Sequence, residues 1–273
     1  FLNESFINYT YKKNHNLKIG RYYRDFSLYL DDNLSSGSLL ISKNSRPLPK
    51  IGMYGKIYVK GKNNYFFDYG ISHSILSKNE FYNEAPFIHE KFFYLNRTFN
   101  NILVSVGLVH EAVWAGSTYK DGKQPSTFED FFRVFRASHG SDNALETDQI
   151  NALGNHLGIW DFLIKYNNNS FILNFYYQHI FEDNSGFEFS NSYDGLWGVS
   201  IENNSSKILL EYLDTSNQSK DSKYGIDRYY FHEVYQSGWS NRGFGIGNPH
   251  INFIENIPVK VVHLGVHSKF SKN

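Results

Sequence analysis

The sequence predicts an all-β protein, a transmembrane antiparallel up-and-down β-barrel, and three observations carry the prediction. Strand-like segments alternate apolar and polar residues with a period of two. Short turns and long connections alternate between them without exception. The apolar sides of the clearest strands carry no acidic or basic residue at their middles. A period of two marks a strand, and an apolar face that excludes charge suits hydrocarbon.

The 273 residues suffice for one large domain or two ordinary ones. Aromatic residues reach 18%, with 21 Tyr and 24 Phe, while the net charge is zero. A neutral chain lacks the basic footprint of a nucleic-acid binder. The absence of Cys excludes disulfides and thiolate metal sites. Apolar runs such as "ILVSV" and "LVHEAV" are far shorter than the ~20 residues of a membrane helix, so a membrane role must use strands. The chain opens at Phe1 without a signal peptide, so we read 1–273 as one barrel domain, N-terminally incomplete.

Eleven strands are expected, at 4–11, 17–27, 51–60, 65–76, 88–98, 101–114, 153–165, 170–182, 192–202, 206–214 and 258–270. In "FILNFYYQHIF" the apolar side holds Phe171, Leu173, Phe175, Tyr177, His179 and Phe181. In "PVKVVHLGVHSKF", Val262, Leu264, Val266 and Phe270 oppose His263, Gly265, His267 and Lys269. Lys260 is the exception on an apolar side, near the rim, where the cost of a membrane-facing cation fades. "KNHN", "GKNN", "FNN", "NNN" and "NNSS" read as tight turns. The long connections are 28–50, 77–87, 115–152, 183–191 and 215–257. Membrane barrels have this asymmetry, short turns on the periplasmic side and long loops outside. Eleven is odd, so either a strand is hidden, for which "RYYFHEVYQ" is a candidate, or the segment is part of a larger barrel.

One short helix is expected in the 115–152 loop. "PSTFEDFFRVFRA" offers Ser126 and Glu129 as a capping box and a stripe of Phe128, Phe131, Phe132 and Phe135, with Arg133 and Arg136 off the stripe. We expect it to fold over the barrel mouth and bury its Phe face on other loops. The Ser, His and Asp of "SHGSDNALETDQ" stand too close in sequence to suggest a triad, and no G-x-S-x-G precedes them.

Four segments, "LSSGSLLISKNSRPLPKI" (34–51), "GLVHEAVWAGS" (107–117), the 124–162 stretch and "YQSGWSNRGFGIGNPH" (235–250), resemble the Wzi-like capsule assembly proteins, most of all the branch found in Bacteroidetes. The resemblance spans about residues 15 to 270 and implies an outer-membrane β-barrel larger than eleven strands. It further implies a non-enzyme of the bacterial outer membrane that attaches or organises capsular polysaccharide, with this chain as the C-terminal portion. The partners implied are capsular or other surface polysaccharide, outer-membrane lipid and other outer-membrane proteins. No cofactor is implied.

For a glycan site the 215–257 loop supplies Tyr235, Gln236, Trp239, Asn241 and Arg242, aromatic faces and planar polar groups of the kind sugars need, and the helix adds Arg133 and Arg136. The inward side collects Asp68, Glu111, Asp161, Lys165, Lys207, Glu211, His263, His267 and Lys269, of mixed sign, which we expect to pair and fill the lumen. His73 and His110 are read as interfacial, and no metal site is expected. His263 and His267 lie roughly 13 Å apart along a strand, too far to share an ion. Three other readings stay open: a diffusion channel or structural subunit of a larger assembly, a soluble β-rich glycan-binding module, and last a barrel enzyme.

Overall fold

The computed structural model describes residues 3–24, 33–62, 64–191, 193–221 and 225–269; of Asn184 and Ser185 the backbone alone is described. Eleven strands form one antiparallel sheet in chain order. They are β1 (Ser5–Tyr11), β2 (His15–Arg21), β3 (Pro49–Tyr58), β4 (Tyr65–Ile75), β5 (Phe87–Phe99), β6 (Ile102–Trp114), β7 (Asn155–Asn167), β8 (Ile172–Phe181), β9 (Gly195–Glu202), β10 (Ser206–Asp214) and β11 (Lys260–Ser268). Each pairs with its sequence neighbour and no connection crosses over.

In two of the tight turns Asn side chains stand in for backbone partners. Asn168 Oδ1 accepts from the N–H groups of Ser170 and Phe171, both at 2.8 Å, and Asn203 Oδ1 does the same for Ser205 and Ser206. These local bonds close the hairpins at one end of the sheet, here called the turn end. The long connections all leave from the opposite, loop end.

The two faces of the sheet differ in kind. Outward stand Ile51, Met53, Phe93, Leu95, Ile164, Phe175, Ile208 and Leu210, all exposed, and Leu264 is 65% exposed. Aromatic side chains of four neighbouring strands stand in register across this face: Phe162 opposite Tyr177, Tyr177 opposite Trp197, and Trp197 opposite Tyr212. Tyr177 and Trp197 stack at 3.7 Å between ring centres. At the turn end a second aromatic group collects, with the Arg97 guanidinium over Tyr65 and Phe99. The inward face is buried, with Ile88, Val109, Leu157, Ile159, Ile180 and Leu196 at its centre.

What buries that face is the chain's own loops. Leu39 and Leu40 of the first long loop, and Tyr229, Tyr230, Trp239 and Ile246 of the last, belong to one core with the inward wall. The wall's polar groups hold the first loop in place. Gln178 Oε1 accepts from the Leu39 N–H at 3.0 Å, and Glu211 accepts from the Ser36 N–H and the Ser35 hydroxyl, each at 2.7 Å. The last loop then docks on the first: the Trp239 indole donates to the Leu40 carbonyl at 2.7 Å, and the Tyr230 hydroxyl donates to the Leu39 carbonyl. Gly238 is required here, because a Cβ would lie 1.9 Å from the Phe253 carbonyl oxygen.

Several expectations need correction. Among the described residues the sheet is not closed: β1 pairs only with β2 and β11 only with β10. The antiparallel, chain-ordered wall is as expected, but these strands do not complete a barrel. The strand expected at 17–27 runs from His15 to Arg21, and residues 25–27 lie outside the described ones. "RYYFHEVYQ" is not a hidden strand, because its tyrosines are drawn into the interior instead of alternating across a wall. The helix α1 (Phe128–Phe135) is capped one residue later than expected, by Thr127 and Asp130 in place of Ser126 and Glu129. Two more short helices, α2 (Glu146–Ile150) and α3 (Asn184–Phe187), join it.

Trp239 is 0% exposed, so Trp239→Ala removes a filled volume and leaves the Leu40 carbonyl unpaired. We expect a loss of about 3–5 kcal/mol, read by denaturant titration with circular dichroism.

Candidate functional site

The loop end is built from two kinds of loop, those that enter the interior and those that fold back over the outward face. The second kind answers a problem in the wall. Near the loop end the outward face carries His73, Lys91, His110 and His156 beside its apolar residues, and His89 is fully buried there. Exposed to an apolar medium, such groups would lose their hydrogen bonds.

The 115–154 loop covers them. His110 and His156 bond each other through Nε2 and Nδ1 at 2.9 Å, and His73 and His89 approach at 3.3 Å. Helix α1 lies on top, with Phe131 edge-on against His73 at 4.9 Å and His89 at 5.5 Å. Its last turn presents the Phe135 carbonyl to the Lys91 ammonium, which also stands 4.3 Å over the Phe135 ring. A cation at a helix C-terminus satisfies both the free carbonyl and the helix dipole.

The helix therefore packs on the outside of the wall and not over the mouth, and His73 and His110 are covered rather than interfacial. Only half the Phe stripe touches the wall: Phe131 and Phe135 do, while Phe128 is 77% exposed. In the same way, residues 183–189 cover the outward His179, which bonds the Gly186 carbonyl at 2.8 Å and stacks on Phe189.

The expected glycan residues divide. Tyr235 and Trp239 are buried in the interior and spend their polar atoms on the Ala115 and Leu40 carbonyls. Neither presents a ring to a ligand at the surface. Asn241 is buried too, its Oδ1 accepting from the Ser77 N–H at 3.0 Å. Gln236 is half-buried, and Arg242 is exposed with Nε on the Ser77 hydroxyl at 2.8 Å. Arg133 pairs with Glu129 at 2.7 Å along the helix, and exposed Arg136 bonds the Phe132 carbonyl.

The inward polar residues also divide. Glu111 meets Arg24, which also bonds Glu90 at 2.8 Å; Asp68 pairs with Lys56 at 3.5 Å and Lys207 with Glu202 at 3.1 Å. Asp161 accepts from the Tyr94 hydroxyl at 2.7 Å and from Gln178, and Glu211 holds the first loop. His263 bonds the Leu34 carbonyl at 2.7 Å. Lys165 is half-exposed, and His267 on the edge strand and Lys269 just beyond it are exposed, so these three do not fill the interior as expected.

Sequence reasoning missed the groove where the 115–154 and 226–234 segments meet. It encloses about 510 Å³ and is lined by Lys120, Asp148, Asn151, Glu182, Arg228 and Glu233 among others. Glu182 accepts from the Arg228 N–H at 2.6 Å. Burial, then the charge of Asp227, pushes its carboxyl well above the usual range. Burial likewise raises Asp148 and, beside the groove, Asp227, each to about 6. His232 is lowered to about 4 by burial, and its Nδ1 accepts from the Val234 and Tyr235 N–H groups, which requires the neutral ring. The Ser, His and Asp of the 138–149 segment hold its loop together: Ser141 bonds Asn143, His139 the Asn151 carbonyl, and Asp148 the Gly154 N–H.

The family described as "Capsule assembly protein Wzi" matches residues 2–263, nearly the whole chain. The chain belongs to the Wzi capsule assembly family. Membership gives it a general role in capsule assembly, and the family's barrel architecture agrees with a β-rich wall that crosses no membrane by helix among the described residues. No curated protein matches the chain, and no solved structure does.

The raised carboxyls give a test of the groove. In the folded protein Asp148 and Asp227 keep a proton that the unfolded chain releases between about pH 4 and 6. Their contribution therefore falls as pH rises through that window. His232 runs the other way, losing stability as pH falls toward 4, so the carboxyls must be isolated by substitution. Asp148→Asn with Asp227→Asn mimics the protonated pair. We expect it to raise the thermal midpoint at pH 7 and leave it unchanged at pH 4, by calorimetry.

Proposed function

We propose that this family member spans the outer membrane through the β1–β11 wall and holds or organises capsular polysaccharide with its loop end. The observation that carries the reading is the division of the two faces. The apolar face is bare, and the opposite face is filled by the chain's own loops. In water, each large apolar side chain left out would forgo about 1.5–3 kcal/mol of burial, which disfavours the soluble module. A filled interior disfavours the diffusion channel, since a conducting barrel needs an aqueous lumen.

Polysaccharide contact falls to groups that reach the surface at the loop end. Arg133, Arg136, Arg242 and Gln236 are the sequence-predicted ones, and the groove at Lys120, Asn151 and Arg228 adds others. Arginine forks suit carboxylates or phosphates of an anionic polymer. Many weak contacts along a repeating chain then multiply into avidity.

A second reading is favoured by the open edges. Among the described residues β1 and β11 each lack a second strand partner, and open edges cannot face lipid, so this reading sets further strands against them. The wall is then one part of a larger barrel or assembly.

Cells carrying Arg133→Ala, Arg136→Ala and Arg242→Ala together should release severalfold more polysaccharide into the medium, with the protein still inserted at its normal level. Unchanged retention would end the loop-end proposal. In planar bilayers the protein should show no steady conductance steps; regular steps would restore the channel.

A further inference from the structure

Helix α1 leaves two of its phenylalanines bare although the rest of it is firmly held. Its start is capped, the Asp130 carboxylate accepting from the Thr127 N–H at 2.8 Å. In its middle Val134 is fully buried in a second small core with Ala112, Trp114 and Leu153. At its end the Phe135 carbonyl accepts from the Lys91 ammonium. A helix pinned in this way cannot turn its remaining side chains inward, and Phe128 stays 77% and Phe132 41% exposed.

These two rings belong to a surface that begins on the wall. On β5, Phe87 shares the outward side with the bare Phe93 and Leu95. From Phe87 the ring contacts run without a break: 5.8 Å to Trp114, 5.8 Å from Trp114 to Phe131, 5.6 Å from Phe131 to Phe132 and 4.8 Å from Phe132 to Phe128. The charged side of the helix lies farther round. At about 100° per residue, Phe128 and Phe132 fall between the wall-facing Phe131 and Phe135 and the charged Glu129, Arg133 and Arg136. Going round from the wall, the exposed surface of α1 is first apolar and then charged.

We propose that α1 is an interfacial anchor: Phe128 and Phe132 enter the outer leaflet where hydrocarbon meets headgroups, and Glu129, Arg133 and Arg136 face the water above it. The inference rests on the membrane-spanning reading of the wall but not on polysaccharide binding. Two features favour lipid over a protein partner. One is continuity, since the unbroken run of rings joins Phe128 to the bare side of β5 at the loop end of the wall, the level at which a membrane barrel carries an aromatic girdle. The other is size. A stable protein interface buries roughly 800 Å² a side, whereas two phenylalanines offer at most about 150–250 Å² each. Lipid needs no complementary surface, and an amphipathic helix lies in the boundary by its apolar side alone.

The chain has no Cys, so one introduced thiol carries one nitroxide label. The test is electron paramagnetic resonance of the full chain in phosphatidylethanolamine–phosphatidylglycerol vesicles. It compares each label's accessibility to oxygen, which concentrates in hydrocarbon, with that to a water-soluble nickel chelate. Four single variants are labelled at exposed positions: Phe128→Cys, Phe132→Cys, Glu129→Cys and, in the wall, Phe175→Cys. The labels at 128 and 132 should favour oxygen over the chelate severalfold more than the label at 129, and the label at 175 should favour it most. Either of the two phenylalanine positions decides alone, so a variant that unsettles α1 does not spoil the test. Labels at 128 and 132 that match the one at 129, or that are shielded from both reagents as under a protein partner, overturn the anchor while the label at 175 still reads lipid. A label at 175 that favours the chelate overturns the membrane reading itself.

Discussion

The structure depends on a relay of hydrogen bonds from wall to loop to loop. Gln178 and Glu211, both on the inward face, accept backbone N–H groups of the first long loop. That loop turns its Leu39 and Leu40 carbonyls to Tyr230 and Trp239 of the last. Buried amides and carboxylates are costly unless partnered. Inward polar residues that look like a channel lining are therefore consumed in holding the filling in place. Gly265 on β11 belongs to the same scheme, because a Cβ there would meet Leu34 at 2.8 Å.

The outward face obeys the complementary rule. Apolar and aromatic side chains are left bare along its middle, and wherever a polar group breaks the pattern near the loop end, a loop folds down to cover it. Helix α1 does this for Lys91 and the histidines, and the 183–189 segment does it for His179. At the rim by Lys260, whose side chain is 61% exposed, polar groups stay open beside the bare face.

A consequence is that the loop end has an inside and an outside. Residues that enter the interior give rigidity, whereas those along the groove and on α1 remain accessible. Arg136 and Arg242 are exposed on different loops that share the same rigid wall, so their spacing is set by packed strands. Fixed spacing of this kind lowers the conformational freedom that any bound partner would cost these side chains.

Much of the wall was legible in the order of residues. A period of two and Asn-rich turns are local signals, so the boundaries of β10 at Ser206–Asp214 match the expected 206–214, and the outward placement of Phe175 and Leu264 follows from alternation alone. Where each long loop goes was not legible, since that is decided by partners distant in sequence. Trp239 reads as a sugar platform until the carbonyl of Leu40, 199 residues away, is seen to accept its indole hydrogen bond. The Phe stripe of α1 announces an apolar partner but not that the partner is the outside of β4–β6, chosen because Lys91 needs a carbonyl there. Sequence set the strands and their faces; tertiary structure decided which polar groups are spent inside, which are covered outside, and which remain free to bind.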